Sequence, residues 1–384
     1  MITSDYKKKK LYFLLLLIFN FLIINSQNLS PNSTGNFTFI PESPLDDKPI
    51  EVYFHIPSGD ITTMPILFSF HGASRNADDY RDFWIDMAND NNFIVIAPQF
   101  SDDYYPGLGD DYLMGNVYVD GDNPTPQTRN PENEWTFSVI EPLFDLIVND
   151  INGIQTGYKA WGHSGGAQFL HRLLMFLPES RVEIAVCSNA GWYTVPEYGI
   201  SFPYGIDNSE IYESDLINIF SNKLIVHLGE SDNDPNSAGL RHNNVLDNQQ
   251  GLNRFDRGNY FYNYSMSFAE EINVFFNWEL YTVPNVGHNA QEMANDALEY
   301  LLAANLNVNN LNPLNLKFFP NPSSTHIYLN HSKNFKAVIL DLSGKEVINE
   351  LITNKIDISC LEKGNYILVL KDEINTTTHI ITKN

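Results

Sequence analysis

Residues 158–177, YKAWGHSGGAQFLHRLLMFL, restrict the possible folds more than any other stretch. A β-rich run ends at Ser164, glycines surround the serine, and apolar residues at helical spacing follow over 166–177. The five residues Gly162-His163-Ser164-Gly165-Gly166 fit the pattern G-x-S-x-G. In that pattern the serine sits on a sharp strand-to-helix turn with its hydroxyl exposed. Gly162 and Gly166 are needed there because a Cβ would collide with the neighbouring strand or helix. Three fixed positions in five recur by chance, so context must separate a nucleophile from a glycine-rich turn.

The context is an alternation of strand-like and helix-like runs. β-rich segments are expected at 52–57, 65–72, 92–99, 158–164, 182–191, 222–232 and 276–284. Helical spacing appears at 77–91, 135–151, 166–177, 260–272 and 290–306, with Pro142 a kink or break in the second. Strands alternating with crossover helices imply an α/β fold with a doubly wound, mostly parallel sheet. The short gap between the first two β segments suggests an antiparallel hairpin. In such sheets ligands collect beyond the carboxyl ends of the strands, which is where Ser164 falls.

Two other strand ends carry the groups a nucleophilic serine needs. LGESD places Asp232 just past one strand, and VPNVGHNA places His288 just past the last. A histidine can take the serine proton at neutral pH, and a carboxylate holds the imidazole in the required tautomer. Asp234 lies two residues further on and is a second candidate for that carboxylate. It precedes Pro235, which pushes it towards an extended, outgoing conformation, so Asp232 is preferred. FHGAS (70–74) brings a strand-end His-Gly whose next N–H, that of Ala73, faces a developing oxyanion, and Gly165 N–H supplies a second donor.

The segments FHGASRNADDY, YKAWGHSGGAQF, HLGESDNDP and VPNVGHN together resemble the α/β-hydrolase superfamily over roughly 37–306, in the secreted esterase and polyhydroxybutyrate-depolymerase-like branch. The resemblance implies Ser164 as nucleophile, His288 as base, Asp232 as orienting acid, and Ala73 with Gly165 as the oxyanion hole. It implies a carboxylic-ester hydrolase that needs neither metal nor cofactor. A serine peptidase, or a non-catalytic surface binding or adhesion protein on the same fold, is the alternative.

The stretch 101–134, absent from core members, is rich in Asp, Gly, Asn, Pro and Tyr and follows a strand end, so it is expected to border the site. Its tyrosines, with His163, Trp192 and Tyr193, are the candidate substrate contacts. DGDN (120–123) offers calcium-type oxygen ligands without the twelve-residue loop spacing, so a solvated loop is preferred. His171 and His227 read as packed or core histidines. Cys187 and Cys360 fall in different proposed domains, which excludes a disulfide framework, and no spaced Cys/His set suggests zinc.

Charge and the two ends define the organisation. Residues 28–310 carry 11 Lys+Arg against 39 Asp+Glu, a net charge of −28, whereas 311–384 carry eight lysines against seven acids. The acidic module argues against nucleic acid or an anionic membrane as partner. Four lysines precede the apolar run Leu11–Ile24, too short to span a bilayer and suited to a signal peptide over 1–26, with no membrane span in the mature protein. The catalytic domain is placed at 28–310. The tail, 311–384, reads as a small all-β domain. Its FFPNPS, LDLSGKEV and GNYIL resemble the C-terminal sorting domain of the type IX secretion system, which implies handling by that machinery and a secreted or cell-surface location.

Overall fold

The computed structural model describes residues 29–306, 318–329, 335–341, 344–371 and 376–384. The expected signal peptide and the boundary near 310 lie outside these residues. The chain opens with β1 (Ser33–Phe39) and β2 (Ile50–Ile56), then β3 (Ile66–Phe70), α1 (Ala77–Asp82), α2 (Ile85–Asn91) and β4 (Ile94–Gln99). After a long excursion come α3 (Ile140–Asp150), β5 (Tyr158–His163), α4 (Gly165–Phe176) and β6 (Val182–Ser188). The first part of the chain finishes with α5 (Glu213–Ser221), β7 (Leu224–Gly229), α6 (Asn244–Gln250), α7 (Arg254–Glu271), β8 (Trp278–Val283) and α8 (Ala290–Leu306).

The eight strands form one sheet in the order β1-β2-β4-β3-β5-β6-β7-β8. Only β2 runs against the others. This is the expected doubly wound sheet, with apolar residues covering both faces. Phe68, Phe70, Ala160 and Val226 pack with Phe144 of α3, Phe169 of α4 and Phe261 of α7. Leu67, Val95, Trp161 and Ile225 pack on the opposite face with Tyr80, Trp84 and the α8 residues Met293 and Ala297. Alternation along each strand sends neighbours to opposite layers, and the continuous apolar strands satisfy both.

Three local expectations change. The first hairpin is β1–β2, not β2–β3: β2 pairs with β1 and β4, while β3 lies parallel between β4 and β5. All five residues of β3 are buried, which requires a strand on each side, and β2 alternates as a strand nearer the edge does. The helix expected over 77–91 is two helices that meet at Phe83–Trp84. Tyr80 and Trp84 both enter the core, where Trp84 Nε1 donates to Ser69 Oγ at 3.2 Å. Pro142 is the third residue of α3 and does not kink it, because first-turn N–H groups have no intrahelical acceptor to lose.

The tail contains β9 (Phe318–Phe319), β10 (His326–Leu329), β11 (Phe335–Leu340), β12 (Glu346–Ile352), β13 (Lys355–Asp357), β14 (Gly364–Lys371) and β15 (Thr376–Lys383). They form two antiparallel sheets, β13-β10-β9 and β12-β11-β14-β15. Ile327, Leu329, Ala337, Ile339, Ile356 and Leu368 share one buried cluster between them. Among the described residues no helix is long and apolar enough to cross a membrane.

Candidate active site

Ser164 separates β5 from α4 with φ +56° and ψ −113°. A non-glycine residue held there stores about 1–3 kcal/mol and persists only where its surroundings enforce it. The enforcement is visible. Ser164 N–H donates to the Ser188 carbonyl at 2.9 Å, and its own carbonyl accepts from Gln168 N–H at 3.2 Å. A Cβ on Gly162 would stand 2.8 Å from Ala167 N, and one on Gly166 would overlap the Phe70 carbonyl, 2.6 Å from its carbon. These glycines let α4 start against β5 and β3, which turns the Ser164 side chain outward. Gly166→Ala is therefore expected to cost about 1–3 kcal/mol. The melting midpoint of the unit that holds the eight-stranded sheet should fall by about 5 °C in scanning calorimetry. An unchanged midpoint would mean that the β3–α4 contact yields.

The loops after β7 and β8 meet the serine. His288 Nε2 lies 3.0 Å from Ser164 Oγ, and His288 Nδ1 lies 2.6 Å from Asp232 Oδ2. An ionised carboxylate only accepts, so Nδ1 carries the proton and donates to Asp232, and Nε2 is left free to accept from the serine hydroxyl. Asp232 is 4% exposed, whereas Asp234 is exposed and accepts from Asn236 N–H at 2.8 Å. Of the two candidate carboxylates, Asp232 is the one brought to His288.

The loop after β3 closes the other side. A Cβ on Gly72 would stand 3.6 Å from Ser164 Cβ, and one on Gly165 would stand 3.2 Å from Ala73 N. The amides of Ala73 and Gly165 therefore border one spot beside the serine, and among the described residues neither donates to a protein acceptor. His71 fixes this loop: its Nε2 accepts from Phe100 N–H at 3.1 Å, so its Nδ1–H donates to the Gly72 carbonyl at 2.8 Å. Burial pushes its pKa down to about 4, which keeps the ring neutral.

The candidate substrate contacts fare differently. His163 is 3% exposed, with its ring 4.5 Å from that of His288 and its Nδ1 3.3 Å from the Tyr80 hydroxyl. It backs His288 and does not line an open wall. Burial, and then the nearby His288 and Arg254, hold its pKa well below the usual imidazole value. Trp192 and Tyr193 are corrected to core positions. Beyond β6 the chain turns inward, so Tyr193 stacks on Phe261 at 4.4 Å and the Arg172 guanidinium lies 3.9 Å over the Trp192 ring. The tyrosines of 101–134 follow the same pattern. Tyr105, Tyr112 and Tyr118 are buried, with Tyr112 donating to the His71 carbonyl at 2.8 Å, and only Tyr104 is open. In DGDN, Asp120 Oδ1 accepts from the N–H groups of Asp122 and Asn123, and Asp122 pairs with Arg241 at 2.5 Å.

His171 accepts from Thr194 N–H at 3.1 Å, and His227 lies 2.9 Å from both Ser188 Oγ and Asp296 Oδ1, so both are satisfied core residues. Cys187 is buried and Cys360 exposed, and both are free. Sequence reading missed Arg254, which is 3% exposed and donates to Asp232 Oδ1 at 3.3 Å and to Ser237 Oγ at 2.8 Å. A signal was available. Asn253 is a good N-cap, and its side chain accepts from Asp256 N–H at 2.9 Å, which starts α7 at Arg254 and not at Tyr260.

Comparison with known proteins bears on the fold and on the tail. Poly(aspartic acid) hydrolase-1 from Sphingomonas sp. KT-1 is 34% identical over 71% of this chain and 100% of its own, with a TM-score of 0.66. A poly(3-hydroxybutyrate) depolymerase from Bordetella parapertussis is 25% identical over 73% of this chain and 92% of its own, also with a TM-score of 0.66. No curated protein matches the chain. Residues 317–384 match the family described as secretion system C-terminal sorting domain. That tail directs export across the outer membrane, so the protein is secreted or held at the cell surface. The chain belongs to the α/β-hydrolase superfamily, in the esterase and polyhydroxybutyrate-depolymerase-like branch, and carries a type IX sorting domain behind its hydrolase fold.

Proposed function

We propose that the protein is a carboxylic-ester hydrolase acting through an acyl-enzyme on Ser164. The observation that carries this is the continuous line from Asp232 through His288 to Ser164, with steps of 2.6 and 3.0 Å, ending beside the Ala73 and Gly165 amides. In this reading Ser164 Oγ attacks the ester carbonyl while His288 Nε2 takes its proton. The two amides hold the oxyanion of the tetrahedral intermediate. Collapse breaks the acyl–oxygen bond, and His288 returns the proton to the departing alcohol. Water then attacks the acyl-serine, His288 takes its proton, and the acid leaves as Ser164 is restored. Asp232 keeps the imidazole in the tautomer that accepts from serine and stabilises the imidazolium between steps.

A second reading, amide hydrolysis in an aspartate polymer, is favoured by the 34% identity to poly(aspartic acid) hydrolase-1. The same groups would perform it. Against it stand the 39 acidic and 11 basic residues of 28–310, whose field repels a polyanion. The two are separated by turnover of p-nitrophenyl esters of rising chain length, neutral polyesters and polyaspartate. Faster turnover of polyaspartate than of any neutral ester would replace the ester reading. A purely binding role predicts no labelling by a fluorophosphonate probe, whereas the hydrolase should be labelled when native and unlabelled after heat denaturation.

The domain division is part of the proposal. Residues 28–310 should retain the full kcat/KM of the longer chain on a soluble ester, and lose export in a type IX host. If the shortened chain is folded by circular dichroism yet inactive, the tail belongs to the enzyme.

A further inference from the structure

The loops that carry Asp232 and His288 share a partner that the proposed mechanism does not use. Asn189 directly follows β6, is 1% exposed, and has φ +50°. Its backbone N–H donates to the His227 carbonyl at 2.9 Å. Its Oδ1 accepts from Gly229 N–H at 2.8 Å, and its Nδ2 donates to the Gly287 carbonyl at 3.0 Å. Gly229 ends β7 three residues before Asp232, and Gly287 immediately precedes His288. One planar amide therefore spans the roots of both loops.

The two loops also touch each other, through Ser231 N–H to the Val286 carbonyl at 2.8 Å and Glu230 N–H to the Val283 carbonyl at 3.1 Å. Asn189 adds what those bonds do not supply, a tie from both loops to the end of β6. The preceding residue, Ser188, accepts the Ser164 N–H. The consecutive residues Ser188 and Asn189 thus set the height of all three side chains of the site. The residue type follows from chemistry. The position needs one acceptor and one donor on a short side chain, at a left-handed backbone that asparagine tolerates better than most residues. Aspartate offers no donor to Gly287 when ionised.

We infer that Asn189 is a positioning residue that sets the His288–Asp232 pair against Ser164. The inference rests on the triad reading above. Its physical basis is the sensitivity of proton transfer to placement, where a shift of about 1 Å costs about 10² in rate.

The test uses the full chain with two substitutions. Asn189→Gly removes the amide and relieves the backbone. Asn189→Asp keeps shape and the acceptor for Gly229 but loses the donor to Gly287. Per folded molecule, kcat should fall about 100-fold in both, with KM within about threefold of the parent. The downfield proton resonance of His288 Nδ1–H, which reports its bond to Asp232, should weaken or move upfield. A kcat within about threefold of the parent, or an unaltered Nδ1 resonance, overturns the inference. If Asn189→Gly does not fold, Asn189→Asp decides alone. Failure of a fluorophosphonate to label Ser164 in the parent defeats the triad reading instead, and is seen before any variant is compared.

Discussion

Replacing Ser164 by alanine is expected to lower kcat for ester hydrolysis by about 10⁶, the scale seen when such a nucleophile is removed from a serine protease. The loss is this large because the remaining groups act through the serine. With Oγ gone, His288 Nε2 loses its partner at 3.0 Å, and on the proposed mechanism the Ala73 and Gly165 amides are left beside a carbonyl that nothing attacks. Binding and the oxyanion donors alone should leave a residual rate about 10³–10⁴ above water. The fold should not suffer. Ser164 is held by its backbone, through the Ser188 carbonyl and Gln168 N–H, and its side chain points outward. The left-handed φ of +56° is already borne by a residue with a Cβ, so alanine adds no new strain. Circular dichroism and thermal melting should match the parent, and fluorophosphonate labelling should vanish. Near-parental ester turnover by folded Ser164→Ala protein would remove the serine from the mechanism.

The second large effect discriminates two aspartates two residues apart. Asp232→Asn should lower kcat by about 10⁴, as the equivalent change does in the serine-protease template. An amide at this position offers an NH₂ group as readily as an oxygen. It thereby favours the imidazole tautomer with hydrogen on Nε2, which cannot accept from Ser164. The substitution also leaves the buried Arg254 guanidinium facing a neutral group at a site 4% exposed, so some stability is lost with the rate. Asp234→Asn should change kcat by less than about tenfold, the scale of one solvent-screened charge. Asp234 is exposed and serves its own turn through Asn236 N–H. Measuring both variants side by side gives the answer. A large loss confined to Asp234→Asn would transfer the orienting role to that residue.

The candidate substrate contacts show where sequence reading stops. Trp192 and Tyr193 follow a strand end near the serine, and a strand end in this fold class is the usual place for a ligand wall. Nothing local shows that the chain then turns inward, because the partners that bury these rings come from elsewhere. Tyr193 lies on Phe261 and beside His171, and Trp192 lies against Arg172 and Arg241. The same holds for Tyr112, which is buried against both Phe100 and Phe169 and not presented to solvent. Composition identified 101–134 as a loop bordering the site, but not which of its aromatic rings face the core.

By itself the sequence determined the alternation of strands and helices, the turn at Ser164 and the placement of Asp232 and His288 beyond strand ends. These are local matters, governed by side-chain periodicity, by glycine where a Cβ cannot fit, and by proline's effect on its neighbour. The tertiary structure decided which aspartate meets His288, which strand pairs with β2, which aromatic rings are core, and that Asn189 joins two loops 98 residues away at one end and 40 at the other. The physical reason is that such contacts depend on strand order in the sheet. That order follows from burying both faces of eight strands at once, and no window of neighbouring residues encodes it.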